Sequence, residues 1–407
     1  MEKVELIALM ARSLHEAGVT TDRLEATLLQ LARALDVQLQ VFALPTYVTL
    51  AIGEAHRQEV VMLRLGPGSI DLRRLASLGE IQDAVVRGGL EPREAIERIR
   101  QATAAVRPPF ALLTVLEYAA ISFGVSVLLG AQPHEMLVAS LVGCSTGAIA
   151  ALARRNAVVA RLFEVLATFL GTLVVAVATR FLGPTNLYIT IVAGIVPLLP
   201  GYSLTSAIYE LANNDLVAGV ARLGKVLVTL LALGCGAALG ITVAGADFVA
   251  HTTHQARPVG MLMWTLAVML ISLGLAPALG ARKRDIPWVF AACFLALLSS
   301  RILSSLPGHQ AAPFGSAFFT GIVCYVEARL ARLPVVVLLA PAIFVLVPGA
   351  LTYESIFFAF QENFESAAQL AANAFIASIF IVAGLLLSQL VFATGGTMAR
   401  SIVRGRH

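Results

Sequence analysis

Apolar residues dominate the chain from about residue 110 onward and are grouped into runs separated by short polar connections. A helix that crosses a bilayer needs about 20 mainly apolar residues. Runs of that kind, some of them shorter, fall at 111–129, 136–153, 158–181, 187–200, 216–244, 259–280, 286–306, 313–331, 334–348 and 367–392. The pattern predicts ten spans, with 187–200 and 334–348 short. The first 109 residues read differently. Residues 3–17 and 20–35 carry apolar positions at helical spacing, among them Leu24, Leu28, Leu31 and Leu35. VQLQVFAL at 37–44 alternates as a strand and Pro45 ends it; YVTLAIG and EVVMLRLG follow as two more strands. Residues 71–87 and 92–105 return to helix, the second opening at Pro92. This predicts a small α+β domain of order ααβββαα, joined to a polytopic, mainly α membrane domain.

Charge follows the same division. Residues 1–109 hold 13 Lys/Arg and 14 Asp/Glu, whereas residues 110–407 hold only 16 and 11. A head of ordinary soluble composition is therefore attached to a tail that water could not disperse, which excludes a purely soluble enzyme. MEKVELIALMARSLHEAG at the start is charged throughout, with no apolar core of a signal peptide, so the head is expected on the side where it is made. With the head cytoplasmic, the inner connections collect Arg154, Arg155, Arg222, Lys225, Arg282, Lys283, Arg284, Arg329 and Arg332, and the C-terminus adds Arg400, Arg404 and Arg406. The outer ones hold Arg180 and Arg257. This asymmetry favours ten spans with both termini inside over an eight-span arrangement. The expected units are 1–109, a first five-helix repeat at 110–245, a second at 259–393 and a basic tail at 394–407.

The two membrane units echo each other. Span four ends in PLLPG at 197–201 and span nine in VLVPG at 345–349, an offset of 349 − 201 = 148. An odd number of spans per unit makes the two copies enter the membrane in opposite senses. Inverted repeats with short, proline-broken helices point to a transporter's binding site near the midplane; the plainer alternative is that Pro-Gly ends two ordinary helices. Each proline deprives the carbonyl four residues back of its helix partner, so Pro197 and Pro200 release Ala193 and Val196, and Pro341 and Pro348 release Val337 and Phe344. Beyond the first break follow Tyr202, Ser203, Thr205, Ser206, Glu210, Asn213, Asn214 and Asp215; beyond the second follow Thr352, Tyr353 and Glu354. A small zwitterion needs an acceptor for its ammonium group and a donor for its carboxylate, and these segments supply acceptors and hydroxyls.

Charges inside spans are costly and mark function or structural pairing. Candidates are Glu117, Arg161, Glu164, Arg301 and Glu327, with Arg222 and Lys225 at an inner span end. Arg161 and Glu164 also read as an ion pair on one helix face, Arg222 and Lys225 as snorkelling cations, and Asn373 and Gln389 as interhelical bonds. Gly236 and Gly240 form a small packing face. Cys144, Cys235, Cys293 and Cys324 lie singly in apolar runs, and His251 and His254 sit in a loop with Asp247, so neither a disulfide framework nor a metal site is called for. No GxxxxGK[ST] phosphate loop occurs. His15 and His56 are isolated and lack a nucleophile, which speaks against a catalytic head. No cofactor is implied. The partners expected are a small-molecule substrate and the bilayer, with self-association open; nucleic acid is not expected.

GVTTDRLEATLLQLARAL (18–35), IDLRRLASL (70–78) and above all LLPGYSLTSAIYELANNDLVAGVARL (198–223) resemble the threonine/serine exporter family, and LLAPAIFVLVPG (338–349) is similar to its smaller unit. The resemblance covers nearly the whole chain and implies a cytoplasmic N-terminal domain with two five-span units. It implies export of threonine and serine driven by an ion gradient, with protons as the expected ion. Pro200, Gly201, Thr205, Glu210, Asp215 and Arg222 occupy its motif positions; the family pattern has Asn at Ser206 and Asp at Glu210. Pro197, Ser203, Ser206, Pro348, Gly349 and Thr352 complete the expected substrate-binding set. Some two-chain relatives of the family are associated with dicarboxylate export, which would require two cationic donors. A membrane-anchored hydrolase head is a further alternative.

Overall fold

The computed structural model describes residues 2–54, 56, 58–66, 68–104, 110–245, 259–306 and 311–404, with side chains through residue 392. The Arg107-Pro108-Pro109 boundary, the loop with Asp247, His251, His254 and Arg257, and the side chains of Arg400, Arg404 and Arg406 lie outside the described residues.

The head contains α1 (Glu2–Glu16), α2 (Thr21–Ala34), β1 (Leu39–Leu44), β2 (Tyr47–Ile52), β3 (Glu59–Arg64), α3 (Leu72–Val86) and α4 (Pro92–Thr103). The strands pair antiparallel in the order β1-β2-β3, with Leu44 opposite Tyr47 across the Pro45-Thr46 turn. In β2 the alternation buries Val48, Leu50 and Ile52 on one face, against Leu24, Leu28 and Leu31 of α2 and Leu6, Ile7 and Met10 of α1. Gly18, at φ 80°, turns the chain between α1 and α2, and a Cβ there would lie 2.9 Å from the Ile70 nitrogen. Only glycine meets both conditions.

The remainder is helical: α5 (Ala111–Leu128), α6 (Pro133–Ala153), α7 (Ala157–Arg161), α8 (Phe163–Leu182), α9 (Leu187–Ile195), α10 (Gly201–Ala212), α11 (Leu216–Ala244), α12 (Met261–Ala278), α13 (Ile286–Ser304), α14 (Ala312–Ala331), α15 (Val335–Leu346), α16 (Gly349–Phe360) and α17 (Phe364–Arg404). Among the described residues, eight helical segments are long and apolar enough to cross a membrane, α15 with α16 counting as one, and the pair α9–α10, bent by 57°, makes a ninth. α14, expected as a tenth span, is 20 residues long and carries Glu327 and Arg329, and it does not meet the same test. Large apolar side chains such as Phe110, Phe181, Leu262 and Leu330 stand exposed on the outer faces, as a hydrocarbon solvent permits. Inside, small residues let helices approach: a Cβ on Gly236 would strike Thr168 and Val165 of α8, and one on Gly240 would strike Thr172. The expected glycine packing face is therefore an α8–α11 contact.

The 148-residue offset holds in the elements. α9 and α15 start 148 apart, α10 and α16 match at both ends, and α11 and α17 start 148 apart. Pro200 (φ −80°, ψ 29°) and Pro348 (φ −79°, ψ 45°) share a backbone conformation, and Asn214 (φ 67°) and Glu362 (φ 62°) both turn left-handed after their helices.

The head is seated on one end of the bundle. The Leu72 amide donates to the Leu279 carbonyl at 2.8 Å, Arg282 and Arg284 both reach Glu80, and Pro334 packs on Gly79. Ala17, Leu72, Leu75 and Ala76 share one apolar core with α13, α14 and α15.

Candidate functional site

The two Pro-Gly breaks meet. In each, the proline caps a twelve-residue helix and the glycine is its first residue. A Cβ added to Gly201 would lie 2.9 Å from both the Cα and the amide nitrogen of Gly349, and one on Gly349 would lie 3.2 Å from the Leu199 Cβ. Backbone touches backbone here, so the first helical turns of α10 and α16 converge, and their positive dipole ends with them. Pro197 lies in the short 3-10 turn Val196–Leu198 that leads into the first break.

Three cavities surround the first break. One, about 50 Å³, lies deep between α10, α14, α15, α17 and the start of α2, and has Tyr202, Thr205, Ser206, Tyr209, Tyr325, Ser388 and Gln389 among its lining residues. Thr205 is 2% exposed and its hydroxyl has no hydrogen-bond partner. Gln389 donates to the Tyr209 hydroxyl at 3.2 Å, so it does bond between helices. A second cavity of about 320 Å³ opens under the head and shares Arg23, Tyr325 and Gln389 with the first. A third, about 500 Å³, shares Tyr202 and is lined by Pro197, Pro200, Ser203, His15, Glu164, Arg222 and Lys225. His15, in the head, has its pKa lowered, chiefly by burial.

Glu210 and Arg222 form a fork. Arg222 Nε donates to Oε2 at 2.9 Å and its terminal nitrogen to Oε1 at 2.7 Å, with Glu210 fully buried. Arg222 is therefore an ion-pair partner rather than a snorkelling cation. The Thr21 hydroxyl at the start of α2 donates to Glu210 at 3.2 Å and to Asp215 at 3.4 Å, tying the head to this pair. Asp215, between α10 and α11, has its pKa raised, first by burial and then by the charges of Asp22 and Glu210.

The second break is built otherwise. Thr352 spends its hydroxyl on the Gly349 carbonyl at 2.6 Å, and Glu354 accepts from Tyr188 at 3.1 Å. Tyr353 is fully buried with its hydroxyl unpaired. Gly349 borders an apolar cavity whose wall includes Ile121, Leu199, Phe344 and Val347.

The charged residues expected within spans scatter. Arg161 ends α7 and is exposed; the helix breaks at Leu162, so Arg161 and Glu164 share no helix face and no ion pair joins them among the described residues. The break follows a local cap, in which the Asn156 side chain accepts from the Val158 and Val159 amides and makes α7 a turn of its own. Arg301 donates to the Val259 carbonyl at 3.0 Å and lies over the Trp264 ring, away from both breaks. Glu117 and Glu327 are buried, each with one carboxylate oxygen unpartnered. Absent from the sequence-derived set are Thr21, Arg23 and Gln389 as members of the site. Two of these lie in segment 18–35, whose likeness to a family was legible without any hint of where the segment docks.

Comparison with known proteins agrees with this arrangement of segments. A family model described as "Putative threonine/serine exporter" matches residues 5–244, and one described as "Threonine/Serine exporter, ThrE" matches residues 261–391. A "Pheromone-regulated membrane protein 10" of Eremothecium gossypii is 24% identical over 93% of this chain and 52% of its own length; that of Saccharomyces cerevisiae is 25% identical over 87% and 47%. A "Probable threonine/serine exporter" of Mycobacterium tuberculosis is 26% identical over 88% of this chain and 70% of its own. The chain spans about half the length of the fungal relatives. No solved structure matches it.

Proposed function

The chain belongs to the threonine/serine exporter family, and on that premise we propose that it is a secondary active transporter exporting small hydroxylated amino acids, L-threonine and L-serine first, across the cell membrane. The observation that carries the reading is the contact of the two Pro-Gly breaks beside a cavity lined by Thr205, whose hydroxyl is buried and unpaired among the described residues. A cluster of hydroxyls with a carboxamide suits the ammonium group and the hydroxylated side chain of such a substrate. Thr205, Ser206, Tyr202 and Gln389 would hold the substrate; Pro197, Pro200, Gly201, Pro348 and Gly349 shape its place; Ser203 lines the approach. Glu210, Arg222 and Asp215 fix α10 to α11 and to the head, and Thr352 fixes the second break.

In this reading the chain makes ten passes, as two inverted units at 110–245 and 259–393, with the head and both termini in the cytoplasm. The element offset of 148 and the density of basic residues in the connections beneath the head support it. Glu117 and Glu327, buried carboxylates with an unpartnered oxygen, are the groups proposed to couple transport to protons. The protein is not read as an enzyme.

The test is efflux. Cells loaded with a threonine-containing dipeptide are expected to release threonine several-fold faster when the chain complements a deletion strain. Equal release by both strains would overturn the assignment.

A further inference from the structure

The soluble head supplies part of the wall of the cavity at the first break. The deep cavity beside Thr205 and the cavity beneath the head share a wall, and Arg23, from the first turn of α2, is part of that wall. Among the described residues, Arg23 is the only charged side chain lining either cavity. No hydrogen bond or ion pair involves its guanidinium among the described residues, whereas Arg222, nearby, is committed to Glu210. The residues facing Arg23 across the cavity are neutral: Tyr202, Tyr209, Tyr325 and Gln389. The charges of Asp22 and Glu210 reach the same tyrosines, but neither carboxylate pairs with the half-buried Arg23 guanidinium, whose five donors in a planar fork match a carboxylate. At about 50 Å³ the deep cavity is smaller than an amino acid, so a substrate must part its walls, and the wall it meets from the head side carries Arg23.

We propose that Arg23 of the head binds the carboxylate of the substrate at the mouth of the deep cavity, while the hydroxyls of Thr205 and Ser206 take its polar end. The head is then a working wall of the site and not only a regulator. With one free cation at the mouth, the site selects substrates that present a single carboxylate and rejects neutral analogues; a dicarboxylate would leave its second charge facing tyrosines and a carboxamide. This rests on the amino-acid reading above and specifies which residue recognises the common feature of its substrates.

The experiment uses the full chain in proteoliposomes and compares uptake and binding of L-threonine with L-threoninamide, which lacks the carboxylate. The variants are Arg23→Gln and Arg23→Lys, with melting temperature recorded for each. The expected result for Arg23→Gln is threonine affinity lower by about 10- to 100-fold, the size of a lost hydrogen bond to a charged group. Threoninamide affinity should change less than about threefold, so the preference between them collapses; Arg23→Lys should restore part of it. An Arg23→Gln protein that keeps the threonine preference, or that loses both ligands alike with an unchanged melting temperature, overturns the assignment of Arg23. Should Arg23→Gln not fold, the Lys variant decides, since a carboxylate anchor predicts weakened but retained preference and an unrelated role predicts none of that change. Failure of the amino-acid reading itself looks different: the unaltered chain would then move neither threonine nor serine.

Discussion

The two Pro-Gly breaks share a backbone and differ in nearly everything attached to it. Both begin with a capping proline of the same conformation, run twelve residues and end at a left-handed residue, Asn214 in one and Glu362 in the other. At corresponding positions the first carries Glu210 and the second Phe358; Arg222 is matched by Leu370 and Asp215 by Asn363. The first therefore holds a buried ion pair, a cavity with hydroxyl and carboxamide side chains in its wall and the docked head, whereas the second holds internal bonds and a cavity walled by apolar side chains. Repetition supplies the crossing, and divergence places the chemistry on one side of it.

The largest effect expected from breaking this comparison is at the ion pair. Arg222→Met leaves Glu210 buried without its partner, a loss of about 3–5 kcal/mol, while Leu370→Met at the matching position should cost under about 1.5 kcal/mol. Thermal melting in detergent checks both, and equal shifts would remove the asymmetry. Next come the glycines. Gly201→Ala drives a Cβ against the Gly349 backbone, which cannot yield locally, and should cost about 1–3 kcal/mol; Gly349→Ala meets the Leu199 Cβ at 3.2 Å and the Gly201 backbone only at an ordinary 3.7 Å, and should cost less. A larger loss at Gly349 would show that the crossing is organised around the second break.

The smallest effect is pH dependence at the head. Burial, first, and then the charges of Asp22 and Glu210 raise the pKa of Asp215, so the folded chain holds that proton more tightly than the unfolded one does. The stability this contributes around the head is full below the ordinary aspartate value and is lost as pH rises through the raised one, offset in part by the Thr21 bond, which favours the ionised form. Asp22, Glu25, Glu210 and Thr21 face the same group, and the three carboxylates oppose its ionisation. Hydrogen exchange in the first turn of α2, corrected for its intrinsic pH dependence, should quicken across that window, and Asp215→Asn should abolish the change. Asn363 gives the second break no such response.

Much of this was legible in the chain. Helical periodicity and the 198–223 segment located the breaks, because prolines and apolar runs act locally. The alternation of VQLQVFAL and its neighbours gave the sheet for the same reason. What escaped depends on tertiary placement. Arg301 and Arg161 looked like donors because they fall in apolar runs, yet one is occupied by the Val259 carbonyl and the other lies on a turn capped by Asn156. Arg23 was hidden among the ordinary charges of a soluble helix, and no sequence period states that α2 seats on α10. The apolar run at 313–331 read as a span, but Glu327 and Arg329 lower the mean hydropathy of α14 below that of the helices it packs among.

Thr205 and Tyr353 occupy matching positions, and each buries a hydroxyl with no partner, but only Thr205 lines the deep cavity. The most direct measurement is threonine affinity and flux in proteoliposomes for Thr205→Val beside Tyr353→Phe. Removing either hydroxyl should leave stability nearly unchanged, since neither is bonded in the protein. The account predicts threonine affinity lower by about 5- to 10-fold, one neutral hydrogen bond's worth, for Thr205→Val and unaltered affinity for Tyr353→Phe. Equal losses in the two variants, or a loss confined to Tyr353→Phe, would contradict a substrate site at the first break.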